Sequence, residues 1–248
     1  MQRPLLLFDL VGTLVDEESD YEALDFAMTD VRERFGLADG ARELSGDFSL
    51  ALMEILRSEG PASGEDGPAA DFVPFEQAAK EIFAAVLEVR DVEASQEDVE
   101  WFWATFVRTQ REVVRLHDDA RRCLEWARDA GFRVWLVTDA DGYFVRDVLP
   151  GKGLDGLYEG CVTATEAGDP KPDPKIFLLA LERAGVSPLN AVMIGDSYER
   201  DVEGARFAGI DRAVLVDRHK ARTVKDVPVV STLMALPAAL TTVVPSAN

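Results

Sequence analysis

The chain has 248 residues, 47% of them hydrophobic, and sets 26 Lys plus Arg against 46 Asp plus Glu, for a formal charge of −20 and a pI near 4.4. That balance excludes nucleic acid and anionic membrane surfaces as partners, because both are bound by basic surface that displaces counterions. No apolar run approaches the roughly 18 residues of a membrane span and no signal-peptide pattern opens the chain, so the expected location is cytoplasmic.

Leu5 to Phe8 form a short apolar run that ends on Asp9, and Gly12 permits a sharp turn just beyond. The pattern predicts a buried strand that presents an exposed carboxylate at its carboxyl end, either as a functional group or as the cap of a strand exit. From Asp20 to His117 the spacing of apolar residues predicts helices over Tyr21 to Phe35, Ser49 to Arg57, Phe75 to Val89 and Ser95 to Leu116. Ser95 followed by Asp98 has the form of a capping box. Between Glu59 and Asp71 the run GPASGEDGPAA predicts a loop.

After Asp118 helices and strands alternate. Helices are expected over Asp119 to Ala130, near Tyr143 to Leu149, and over Pro174 to Ala184 and Val202 to Ala208. Strands are expected at Arg133 to Val137, near Cys161 to Ala164, at Ala191 to Ile194 and Ala213 to Val216, with Val229 and Val230 a final short one. This alternation predicts an α/β fold with a Rossmann-like parallel sheet covered on both faces, which the first strand must join. The expected core is 1–15 with 119–248, and 16–118 is a helical insertion. Cys123 and Cys161 are expected as buried free thiols. His117 and His219 are too far apart to suggest a zinc site or a Ser-His-Asp triad.

Polar residues stand at three further strand ends, and in a parallel sheet these face one crevice. Val137 leads to Thr138, Asp139 and Asp141; Ile194 leads to Gly195, Asp196 and Ser197, with Asp201 a turn later; Pro170 and Pro172 stiffen the backbone around Lys171. Asp9, Asp196 and Asp201 together would repel one another without a cation, and an all-oxygen set suits Mg²⁺. Lys171, Thr138 and Asp139 with its neighbouring backbone could then hold a phosphoryl group for in-line attack by Asp9. Taken singly, each residue also has a structural reading: Thr138 as a helix cap, Lys171 as a surface lysine, Asp201 as a helix-dipole partner.

DLVGT from Asp9, Thr138, the Lys171–Pro172 pair and GDSYERD from Gly195, in that order and with a helical insertion after the first, resemble the haloacid dehalogenase superfamily with an inserted helical cap. The resemblance implies a Mg²⁺-dependent phosphohydrolase of small phosphorylated metabolites. Asp9 would be the nucleophile, Thr138 a phosphate ligand and Lys171 its neutralising cation. Asp9, Asp196, Asp201 and the Val11 carbonyl would hold the metal. The family's phosphatases carry a second Asp two residues after the nucleophile as general acid and base, and here Val11 stands in that place. Slow turnover, a leaving group that needs no proton, a phosphonatase-like reaction through Lys80, and ligand binding without turnover each account for Val11. A dehalogenase reaction fits less well, since Asp196 and Asp201 would repel a haloacid. Substrate choice would rest in the cap, where Tyr21 is expected in the core and Arg42 on the surface. Only six of the 26 basic residues are lysines, and an acid-rich, lysine-poor surface predicts a halophilic source.

Overall fold

The computed structural model describes residues 4–58, 72–220 and 224–244. Strand β1 (Leu5–Phe8) is buried at all four positions, as expected of a strand covered on both faces. Four helices follow: α1 (Glu17–Phe35), α2 (Ala41–Ser58), α3 (Phe75–Glu88) and α4 (Gln96–Val113). The chain then runs through α5 (Ala120–Asp129), β2 (Arg133–Thr138), β3 (Gly160–Thr163), α6 (Ala164–Ala167), α7 (Pro174–Ala184), β4 (Ala191–Gly195), α8 (Gly204–Phe207), β5 (Ala213–Val216), β6 (Val229–Val230) and α9 (Leu236–Val243).

The six strands form one parallel sheet in the order β3-β2-β1-β4-β5-β6. Phe8 is level with Leu136 on one side and Ile194 on the other, and the Asp9 N–H extends the ladder to the Ile194 carbonyl at 2.9 Å. Asp9, Thr138 and Asp196 therefore leave three adjacent strands at nearly one height. The order reverses at β1, and such a switch point is where open α/β sheets bind ligands. Leu5, Leu7, Trp135, Val137, Met193 and Leu215 alternate onto one face and pack against Ile176, Phe177 and Ala180 of α7. Helix α5 packs on β2 and α9 on β5.

The chain divides into two compact units, Met1–Glu17 with Arg115–Asn248, and Glu18–Val114. Residues 115–118 fall with the sheet, because the Asp16 N–H bonds the Arg115 carbonyl at 2.9 Å and the His117 N–H bonds the Leu14 carbonyl at 2.9 Å. Val15 and Leu116 also pair as an antiparallel bridge, which is why α4 stops at Val113 rather than at Leu116. The helical unit buries Leu24, Ala27, Met28 and Val31 of α1 at helical spacing, together with Phe83 and Phe102 stacked 4.3 Å apart. Ser95 and Asp98 form the expected reciprocal cap of α4.

Several expectations differ from the structure. Helix α1 starts at Glu17, earlier than apolar spacing suggests, because its first turn is polar, and α2 starts at Ala41, so that the buried Leu44 and Phe48, four residues apart, already belong to it. The segments near Tyr143 and Val202 are partly π-helical, at Phe144–Val148 and Tyr198–Glu203. Tyr21 is exposed, not in the core, and Cys161 is only half buried, while Cys123 is buried. Both cysteines are free, and burial pushes each thiol up to about 12. The run 60–70 lies outside the described residues. No helix among the described residues is long and apolar enough to cross a membrane.

Candidate active site

Asp9 is buried at 5% exposure, not the exposed carboxylate that its turn suggests. Its neighbours on β2 and β4 end at the same level and wall it in. Asp9 Oδ1 accepts a hydrogen bond from Lys171 Nζ at 2.5 Å, while its buried Oδ2 has no hydrogen-bond partner among the described residues. Lys171 is almost wholly buried and also reaches Asp201 Oδ1 at 2.6 Å. Burial alone would drive the proton off Lys171, but the charges of Asp201, Asp9 and Asp139 more than offset it and hold the ammonium above its ordinary range. The loop carrying Lys171 is fixed from both sides. Its N–H donates to Asp139 Oδ1 at 2.8 Å, and Gly204 abuts Pro172 so closely that an added Cβ would lie 2.9 Å from the Pro172 Cα.

Beyond β4 the backbone turns through Ser197, whose N–H donates to Asp201 Oδ2 at 2.9 Å and whose hydroxyl caps the π-turn by accepting from the Arg200 N–H at 3.2 Å. The wide turn aims the buried Asp201 back toward the strand end, across the face of Gly195. A Cβ on Gly195 would lie 2.2 Å from Asp201 Oδ2. Gly195→Ala is therefore expected to displace Asp201 and lower stability by about 1–3 kcal/mol, read as a drop in the denaturant midpoint. An unchanged midpoint would show that Asp201 can move without cost.

Asp9, Asp196 and Asp201 each place a carboxylate oxygen within 4.8 Å of the others. Burial, then the charges of Asp9 and Asp201, push Asp196 up to about 7. Asp201 is pushed up to about 6 by burial, against the pull of Lys171. Three hard oxygen donors that repel one another, one with an unpartnered buried oxygen, fit a divalent cation such as Mg²⁺. Val11 lies at the same turn. The bonds that close the turn run from the Leu14 and Val15 N–H groups to the Leu10 carbonyl and from the Gly12 N–H to the Val15 carbonyl, each 2.8 Å, and use no atom of Val11. Its carbonyl is thus spared by the turn that carries it.

Thr138 is buried, and its hydroxyl accepts from the Ala140 N–H at 3.0 Å, so its own proton is left for an anion. The Asp139 carboxylate accepts the Lys171 backbone N–H on one oxygen and Arg200 Nη1 at 3.2 Å on the other, so its side chain ties the Lys171 loop to Arg200. The structure thus joins Asp9, Lys171, Asp196 and Asp201 directly and ties Asp139 to them through Lys171. Sequence reasoning missed Arg200, which looks like a surface charge within YERD. It also missed Thr13, whose hydroxyl donates to Asp196 Oδ1 at 3.4 Å, although Thr13 stands within the DLVGT run.

A parallel sheet with a buried aspartate at its switch point, a lysine between carboxylates and an acidic pair on the next strand defines a Rossmann-like hydrolase core. The chain belongs to the haloacid dehalogenase-like hydrolases, whose family pattern matches residues 4–209. It is 39% identical over 109 residues to a phosphoserine phosphatase of Thermus thermophilus, a segment covering 44% of this chain and 43% of that protein. It is 26% identical over 211 residues to a phosphoglycolate phosphatase of Colwellia psychrerythraea, covering 85% and 83%. The crystal structure of a phosphatase of this family from Thermococcus onnurineus superposes with a TM-score of 0.66 at 26% identity, covering 97% of this chain and 98% of that one. The match to the first relative spans less than half of its length, and the match to the second spans most of it.

Proposed function

We propose that the protein is a Mg²⁺-dependent phosphohydrolase of small phosphorylated metabolites that works through an aspartyl-phosphate on Asp9. The observation that carries this reading is the buried contact of Asp9 with Lys171, beside two further carboxylates and with one Asp9 oxygen unpartnered. Asp9 attacks phosphorus as the bond to the leaving oxygen breaks, and that oxygen takes a proton from solvent. Water then attacks phosphorus, the bond to Asp9 breaks, and phosphate leaves with the carboxylate restored. Lys171 neutralises the charge that Asp9 and the phosphoryl group bring together, while the Thr138 hydroxyl and the Asp139 backbone orient the remaining oxygens. Mg²⁺ held by Asp9, Asp196, Asp201 and the Val11 carbonyl would supply further charge neutralisation at the phosphoryl oxygens. Relatives named for phosphoserine and phosphoglycolate support a small phosphate ester as substrate. The helical unit takes the role of a cap that carries substrate selectivity.

A phosphonatase-like Schiff base on Lys80 fits the structure less well. Lys80 is paired with Glu76 and Glu100, each at 2.9 Å. Against its partial burial, these carboxylates hold the ammonium above its usual range and keep it from acting as a nucleophile. The test is phosphate release from p-nitrophenyl phosphate, acetyl phosphate, phosphoglycolate and phosphoserine, with Mg²⁺ and with chelator. Release that requires Mg²⁺ is expected. No turnover on the whole panel, with ligand-dependent thermal stabilisation instead, would replace the hydrolase by a binding protein.

The charge of −20 carries a separate proposal, adaptation to concentrated salt. Screening relieves the self-repulsion of such a surface, so the melting temperature is expected to rise steadily between roughly 0.1 and 3 M KCl. A flat or falling curve removes the proposal.

A further inference from the structure

Arg218, just past the end of β5, sends its guanidinium back under the turn that follows β1. Its Nη2 donates to the Thr13 carbonyl at 2.7 Å, and its Nη1 and Nη2 meet the two oxygens of Asp119 at 3.2 and 3.0 Å. The side chains of Arg218 and Asp119 are 17% and 12% exposed. Asp119 is itself fixed by the Thr232 hydroxyl at 2.5 Å and the Leu233 N–H at 2.8 Å. The brace is therefore anchored in the segment between β6 and α9, more than a hundred residues from Asp119 in sequence. On the opposite side of the same turn, Thr13 donates to Asp196. Gly12, with φ +91°, lies so close that an added Cβ would stand 2.7 Å from Asp196 Oδ2. The His117 imidazole bonds the Gly12 carbonyl, and its buried Nε2 has no partner, so the bond runs through Nδ1–H.

We propose that Arg218 and Asp119 are a positioning pair for the metal site, bracing the Gly12–Thr13 segment against Asp196 and so setting the affinity for Mg²⁺. The reasoning rests on the metal-dependent reading of the site above. Neither residue touches the carboxylate cluster; Arg218 acts through Thr13, and Asp119 acts through Arg218. A guanidinium suits this task because its planar fork serves a carboxylate and a carbonyl at once, which an ammonium cannot do in the same geometry. Without the fork, the Thr13 carbonyl and the Asp119 carboxylate lose a charged donor, and Asp196 loses the fixed wall that aims it. Outer partners of metal ligands typically set affinity by about 10- to 100-fold.

The experiment is calorimetric titration of Mg²⁺ alone into the wild-type chain and into Arg218→Met, Arg218→Lys and Asp119→Asn, with thermal midpoints measured in parallel. Arg218→Met is expected to weaken Mg²⁺ binding by about 10- to 100-fold, with Arg218→Lys recovering part of the loss. Asp119→Asn, which keeps an acceptor for Thr232 and Leu233, is expected to weaken it by roughly 3- to 10-fold and stands in if Arg218→Met does not fold. Turnover by the weakened variants is expected to return toward wild type at saturating Mg²⁺. Lower midpoints with unchanged Mg²⁺ affinity would overturn the proposal and leave the pair purely structural. Failure of the wild-type chain to bind Mg²⁺ would instead overturn the metal-dependent function itself.

Discussion

Asp9→Asn is expected to lower phosphate release by at least roughly 10⁴-fold while leaving the fold in place. The loss is large because an amide oxygen is too weak a nucleophile to form the phosphoenzyme, and no other carboxylate stands where Asp9 does at the end of the central strand. The fold survives because the amide oxygen can still accept from Lys171, as Oδ1 does now at 2.5 Å. The amide N–H₂ then takes the place of Oδ2, which is buried without a partner among the described residues. One of the repelling charges is removed from a cluster in which burial, then the charges of Asp9 and Asp201, push Asp196 up to about 7. The melting temperature without Mg²⁺ should therefore stay level or rise, while stabilisation by added Mg²⁺ shrinks because a ligand is lost. Measured together, these readouts separate chemistry from folding. Residual turnover above a hundredth of wild type would move the nucleophile elsewhere, and a collapse of the metal-free melting temperature would make Asp9 a structural anion for Lys171.

Much of this arrangement was legible before the structure, for a physical reason. Strands β1, β2, β4 and β5 are continuous apolar runs ended by polar residues, and in a parallel sheet every such end must face one edge. Asp9, Thr138 and Asp196 could thus be grouped from local patterns alone, with Lys171 set apart by the prolines on either side of it. Depth could not. Asp9 on a glycine turn reads as exposed, and only the register that places Phe8 level with Leu136 and Ile194 closes the crevice around it. The role of the Asp139 side chain was hidden because its partners, Lys171 and Arg200, lie 32 and 61 residues away. Arg218 and Asp119 were hidden more completely. Each is a charged residue beside a helix or strand end, where the ordinary reading is a solvated cap, and the carbonyl they brace belongs to Thr13, 205 residues from Arg218. Tertiary hydrogen bonds of this kind leave no periodic trace in the chain.

Val11→Asp is expected to raise the hydrolysis of alkyl phosphomonoesters by about 10²- to 10⁴-fold, the usual contribution of a placed general acid and base. The turn should accept the change, since the three bonds that close it join Leu10, Gly12, Leu14 and Val15 and make no use of Val11, which is half buried. The introduced carboxyl would stand two residues from Asp9 on the same turn, and in its protonated form it can donate to a leaving oxygen. The gain should depend on the leaving group. Alkoxides need the proton and should respond fully, whereas acyl phosphates expel a carboxylate that needs none and should change by less than about tenfold. A large gain for both classes would mean that the substitution acts on metal or substrate binding and not on proton transfer. No gain for alkyl esters would mean that another group already supplies the proton, and the apolar side chain at position 11 would then be no defect in the phosphatase chemistry.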